Sequence, residues 1–190
     1  MKDPAKSTWV ETMPYPAGFV KWMFKFPILL YRAGMGALVG RLFMVMTTVG
    51  RKSGQPRRTA VEFHEFRGRK YVFNNWGQKS DWYRNILANP NITIQTWRGA
   101  ESVHARRLVT DAELTEAFDF TISNPSLRAV FKAIGFDLNL DRFLAERDRF
   151  IFVTFDPVDQ PTPEPVQADL VWIWLVVVPL CLLLVLLAAK

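Results

Sequence analysis

Cysteine occurs once in this 190-residue chain, at Cys181. One thiol excludes an intrachain disulfide, so the fold rests on burial, and the chain suits a reducing compartment. Histidine is almost as scarce. His64 and His104 are the only two, and both read as surface residues of strand-like stretches. No metal-ligand spacing can be built from this set. A Gly-x-Ser-x-Gly elbow and a Walker phosphate loop are also missing. These gaps argue against a self-sufficient hydrolase and place any chemistry on a bound cofactor.

Negative charge is thin in the first 150 residues. Residues 151–190 hold one base, Lys190, and four acids, Asp156, Asp159, Glu164 and Asp169, which leaves the rest at +9 of a total of +6. A basic body favours anionic partners: phosphate groups, acidic lipid, nucleic acid or a polyanionic cofactor. Nucleic acid fits least, because the aromatics are not interleaved with bases along one strand surface.

Charge is absent altogether from "LVWIWLVVVPLCLLLVLLAA", residues 170–189. At about 1.5 Å per residue this run covers roughly 30 Å, the hydrocarbon thickness of a bilayer. It reads as a transmembrane helix that tolerates Pro179, with Trp172 and Trp174 near one boundary. Its position is wrong for a signal peptide. Before it, "DPVDQPTPEPVQAD" has four prolines and no apolar pattern. It reads as an extended, acidic linker over 157–169 that lets the body reach roughly 40 Å from the membrane. The expected location is the cell membrane, single-pass with a C-terminal anchor in the lipid bilayer and a cytoplasmic folded domain.

Residues 1–41 form an N-terminal segment. Within it, Lys21, Lys25 and Arg32 fall within about 40° of one another at helical spacing, and apolar residues fill the remaining positions. Such a helix suits either a membrane surface or a barrel face covered with snorkelling lysines. Pro27 should break or kink it. The period then becomes strand-like. The spacing predicts strands over 42–49, 57–66, 71–76, 92–97, 102–109 and 151–155, six in all, joined by short turns as in an antiparallel barrel or sandwich. Helices interrupt them: one after Ser80 that ends at Asn89-Pro90, one capped by the Thr110/Glu113 box with Leu114, Ala117, Phe118, Thr121 and Ile122 on one face, and one over 126–134 stopped by Gly135.

Two motifs carry the functional reading. "GRKSGQPRR" sets Arg51, Lys52, Arg57 and Arg58 around a turn that Gly50 and Gly54 allow to be tight, with Ser53 and Gln55 as neutral donors. Such a turn grips phosphate or carboxylate, although a solvated charged hairpin has the same composition. "NNWGQKSDWYRN" runs from a strand end through Gly77 into a helix start, where free N–H groups favour an anion. Lys79 and Ser80 stand there, and Trp76, Trp82 and Tyr83 offer flat surfaces. Together they describe a site for a flat molecule with an anionic tail.

"TTVGRKSGQPRRTAVEF" followed by "WGQKSDWYRNILANPNITIQ" resembles the deazaflavin-dependent nitroreductase and quinone reductase family, over residues 42–156. The resemblance implies an α+β fold: a six-stranded antiparallel split β-barrel of the flavin-reductase kind with flanking helices. It implies coenzyme F-420, a deazaflavin with a phosphate and a glutamate tail, as cofactor. Arg51, Lys52, Ser53, Gly54, Gln55 and Arg57 would hold the anionic groups. Asn74, Asn75 and Trp76 would pass the ring edge, Gly77, Gln78, Lys79 and Ser80 would enclose the phosphate side, and Trp82 and Tyr83 would sit near the ring. No side chain is expected to be catalytic, since the cofactor carries the chemistry. The implied reaction is hydride transfer from reduced cofactor to an electron-poor acceptor. A quinone suits the membrane location, with Trp76, Trp82 and the phenylalanines of 118–150 shaping its pocket. Pairing of two barrels into a homodimer is also implied. The turn before Asp81 is shorter than in quinone-reducing members, and their Tyr-rich C-terminal segment has no counterpart. An FMN-using split-barrel reductase, and a non-catalytic protein that holds a deazaflavin, flavin or haem, are the alternative readings.

Overall fold

The computed structural model describes residues 18–133 and 135–188. The expected Pro4, Pro14 and Pro16 irregular stretch lies outside them. Three short helices come first: α1 (Gly18–Met23), α2 (Phe26–Arg32) and α3 (Gly36–Val39). Pro27 divides α1 from α2 by occupying the first turn of α2, where its missing N–H costs nothing.

Next come β1 (Phe43–Val49), β2 (Pro56–Glu62), β3 (His64–Phe66), β4 (Arg69–Phe73), α4 (Asp81–Ala88), β5 (Asn91–Thr96) and β6 (Gly99–Arg107). They are followed by α5 (Asp111–Ser123), α6 (Pro125–Ala133), α7 (Leu140–Ala145), β7 (Phe152–Pro157) and α8 (Trp174–Ala188). The sheet order is β2-β1-β5-β6-β7-β4-β3, and every pairing is antiparallel. The two edge strands, β2 and β3, are separated in the chain by Phe63 alone. The expected strand over 57–66 is therefore one ribbon bent at Phe63. Its first half pairs with β1 and its second with β4, so the ribbon joins the two sheet edges and closes a barrel of six strands, with Phe63 buried at the bend.

Alternation along β1 sorts the two faces. Met44 and Met46 enter the barrel interior with Val72, Ile92, Ile94, Val103 and Val153, joined by Trp82, Tyr83 and Ile86 from α4. Val45 points the other way, against Tyr31 of α2. With both faces covered, β1 is buried almost throughout, which explains its unbroken apolar sequence. The Tyr31 hydroxyl reaches the carbonyls of Phe43 and Gln95 at 2.9 and 3.0 Å, and burial pushes its pKa up to about 12. Helices α5 to α7 cover β4 and β7 through an aromatic cluster that includes Phe118, Phe131, Phe143 and Phe150. The capping box at Thr110 and Glu113 forms as expected. Ile122 is exposed and Phe120 takes the buried place instead.

The tail corrects the picture of a loose leash. Residues 158–166 lie along β5 and β6. The Val158 N–H donates to the Ser102 carbonyl at 3.1 Å. Thr162 Oγ1 lies 2.7 Å from Thr93 Oγ1 and 2.8 Å from Ser102 Oγ. Gln95 pairs with both backbone groups of Val166, at 3.0 and 3.2 Å, and Val166 is buried beside Tyr31 and Ala60. Proline leaves few N–H groups to satisfy and pre-extends the chain, so the segment docks with little loss of entropy. The apolar stretch Val171–Ala188 has a mean hydropathy of 2.9, is long enough to cross a membrane, and none of it is buried in the protein.

Candidate functional site

The tip between β1 and β2 is built by short-range bonds. The Gly50 N–H donates to the Gln55 carbonyl at 2.9 Å, and those of Ser53 and Gly54 return to the Gly50 carbonyl. Gly54 has φ +68°, and a Cβ on Gly50 would press on Ser53, Gln55 and Arg57. The tip is then tied to α4. The buried Asn85 accepts from the Arg51 N–H at 3.2 Å and from Arg51 Nη1 at 3.1 Å, while its own Nδ2 donates to Thr48 Oγ1 at 3.2 Å. Thr48 in turn donates to the Arg57 carbonyl. Arg51 also pairs with Asp81 at 3.1 Å, and Asp81 with Arg84 at 2.8 Å. Arg51 is thus committed to holding the turn.

The second motif is organised by Asn74, which is buried. Its Nδ2 donates to the Gly77 carbonyl at 2.9 Å, and its Oδ1 accepts from the Trp76 N–H at 3.2 Å and the Ser80 hydroxyl at 2.7 Å. Ser80 occupies the N-cap position of α4, but its hydroxyl is spent on Asn74 and makes no cap bond. The first N–H groups of α4 are left without an intrahelical acceptor.

A cavity of about 630 Å³ lies between these two motifs, within the size range of cofactor sites. Of the residues expected there, Arg51, Lys52, Ser53, Arg57, Trp76, Ser80 and Trp82 line it. Asn74 and Asn75 line a neighbouring cavity of about 360 Å³. Gly54, Gln55, Gly77, Gln78, Lys79 and Tyr83 line neither. Tyr83 is buried in the barrel core, where its α4 register aims it inward. Sequence reasoning missed Phe24, Lys25 and Ile28 of the N-terminal helices, the β2 residues Thr59 to Val61, and the α4 pair Asp81 and Asn85. Arg58, singled out as a base of the turn but not as a site residue, also lines the cavity. Among the described residues, no carboxylate lies in ion-pair contact with Lys25, Lys52, Arg57 or Arg58; Arg57 donates to Ser53 Oγ at 3.2 Å.

The two cavities share Phe24, Ala60, Val61, Trp76 and Trp82 as a common wall, and Phe24 meets Trp76 edge-on at 5.5 Å between ring centres. The smaller one is mostly apolar, with Met23, Pro27, Phe43, Phe73, Leu127 and Val130, plus one imidazole, His64. His64 is half-buried rather than a surface residue. It packs on Phe120 at 5.2 Å and faces Asn124 at 3.4 Å and Glu62 at 3.5 Å. Burial lowers its pKa, against an opposing pull from Glu62. The phenylalanines at 118, 120, 131, 136, 143 and 150 line neither cavity; all are core residues. Among the described residues no cluster of metal-ligating side chains exists.

Residues 26–129 match the sequence model of the F420H(2)-dependent quinone reductase family, and the chain belongs to that family. It is a deazaflavin-dependent oxidoreductase with coenzyme F-420 as its cofactor. The match starts at α2, earlier than the resemblance read from the sequence. Similar solved structures include an F420-H2 dependent reductase (23% identity, covering 60% of this chain and 93% of that one, TM-score 0.41). A pyridoxamine 5'-phosphate oxidase-like protein from Listeria innocua matches at 12% identity, covering 70% and 91%, TM-score 0.42. The haem storage protein HutZ from Vibrio cholerae matches at 12%, covering 75% and 96%, TM-score 0.34.

Proposed function

We propose that the chain is a membrane-anchored reductase that binds coenzyme F-420 in the larger cavity and a lipophilic, quinone-class acceptor in the smaller one. The observation that carries this reading is the shared wall: a basic chamber and an apolar chamber meet at Trp76 and Trp82. The residues present fit the cofactor. Among the described residues, Lys52, Arg57 and Arg58 line the chamber with no carboxylate in ion-pair contact, which leaves them for phosphate and glutamate groups. Arg51 contributes through its grip on Asn85, by holding the turn in shape. Asn74 fixes the second turn, so Trp76 stays on the common wall.

Coenzyme F-420, when bound, supplies the hydride. The protein's part is orientation and exclusion of water, and both fit walls made of packed rings. Residues 170–189 are read as the anchor and the barrel as cytoplasmic, with two copies pairing through their barrels. The FMN-using and the non-catalytic binding readings would require the larger cavity to serve a different ring or no turnover. The test is stopped-flow oxidation of the reduced, F-420-loaded full chain by menaquinone in vesicles. Turnover within seconds supports the reading. A loaded protein that stays reduced in the presence of quinone contradicts it.

A further inference from the structure

The anchor does not swing from the barrel. Three contacts fix the point where α8 begins, and all fall at the C-terminal end of α2. The Leu170 N–H donates to the Arg32 carbonyl at 2.8 Å. The Arg32 guanidinium holds the Asp169 carboxylate with two bonds of 2.8 and 2.7 Å. Trp174 Nε1 donates to the Ala33 carbonyl at 2.8 Å. Gly34 has φ +81°, and a Cβ there would lie 2.9 Å from Val171 Cγ1. An exposed ion pair alone is worth little. Here it is backed by the indole bond, the backbone bond and the docked residues 158–166.

The side of α2 that leads to this point is apolar and bare. Phe26 and Leu29 are exposed three residues apart, and Ala33, one turn further on, is the residue that holds Trp174. Trp22 extends the row from α1, 6.1 Å from Phe26 between ring centres, and Met23 and Phe24 beside it are also about half open to solvent. Rows of this kind mark interaction surfaces. Cations flank it at both ends of α2: Lys25 directly before Phe26, and Arg32 in the last turn.

We propose that the α1–α2 edge is a membrane-interface surface, seated at the headgroup–acyl boundary of the bilayer that α8 crosses, and that residues 158–174 are a strap that holds it there. An apolar row flanked by cations fits that boundary, and the row is continuous with the base of an apolar helix of spanning length. This rests on the reading of α8 as a bilayer span. Phe24 and Pro27 wall the smaller cavity, so an acceptor dissolved in lipid meets that wall first.

The test uses the full chain with Cys181→Ser, in vesicles of phosphatidylcholine and phosphatidylglycerol. A fluorophore is attached at Phe26→Cys or, as a control, at Asp141→Cys on α7, and quenched by lipids spin-labelled near the headgroup. Flotation reports anchoring independently. The proposal expects quenching at position 26 about threefold above position 141 for a probe at the boundary. It expects that difference to collapse with Asp169→Ala and Trp174→Phe together, while flotation is unchanged. Protein that floats with equal quenching at both positions overturns the surface. Quenching that survives the double variant overturns the strap. Protein that does not float overturns the proposal together with the anchor reading.

Discussion

Asn85 Oδ1 accepts twice from Arg51, from the backbone N–H and from the guanidinium, and so joins the β1–β2 tip to α4. Asn85 is buried, and its removal takes the acceptor from the Arg51 backbone N–H and the donor from Thr48 Oγ1, while Arg51 keeps Asp81 and Thr48 keeps the Arg57 carbonyl. Asn85→Ala is expected to cost about 1–3 kcal/mol and to weaken F-420 binding as well. Thermal unfolding and a fluorescence titration on the same sample check both. An unchanged melting temperature would remove this network from the fold's support.

Lys52 and Arg58, which line the chamber, behave differently from Arg51. Lys52→Ala with Arg58→Ala is expected to weaken cofactor affinity by about tenfold or more, with a smaller salt dependence and no change in melting temperature. Titrations at low and high salt measure it. Equal salt slopes in the variant and the natural protein would place the anionic groups elsewhere.

Most of the barrel was legible in the sequence because period-2 alternation and Gly turns report strands directly, as in Val61 and Phe63 of β2 and the bend. The bend itself was hidden, since the alternation runs straight through Phe63. Helix α7 was missed because its first turn follows Asn139 within an irregular stretch, and only the cap bond to the Arg142 N–H reveals it. The site divided similarly. Lys52, Arg57 and Trp76 were readable from local motifs. Phe24 and Lys25 were not, because they reach the cavity through the packing of α2 on β1 and β2. Tyr83 enters the barrel core and not a cavity wall, because adjacent helical residues point to different sides. The docking of the proline-rich tail depends on Gln95, distant in sequence.

His64 gives a pH signature. Burial sets its folded pKa below 6.5, so the folded state binds fewer protons there than the unfolded chain. Its contribution is complete above pH 6.5 and is lost as pH falls from 6.5 through the folded value. Glu62, facing it at 3.5 Å, reduces the effect. Urea midpoints at several pH values across this window should fall less steeply for His64→Gln than for the natural protein.

Gly40 is set by space. A Cβ there would lie 2.4 Å from the Trp97 backbone nitrogen and 2.5 Å from the Tyr31 hydroxyl. Gly40→Ala is expected to destabilise by about 1–3 kcal/mol through overpacking, read as a lower melting temperature. A neutral variant would mean that α3 shifts freely against β5.

The central claim is that the cavity between Lys52 and Trp76 binds a deazaflavin. The direct measurement is a fluorescence titration of the full chain in detergent with coenzyme F-420 and, separately, with FMN. The full chain is needed because residues 158–174 pack on the barrel. The account predicts saturable binding of F-420 in the micromolar range that Lys52→Ala and Arg58→Ala weaken, and markedly weaker binding of FMN. Tight binding of FMN with none of F-420 would contradict it.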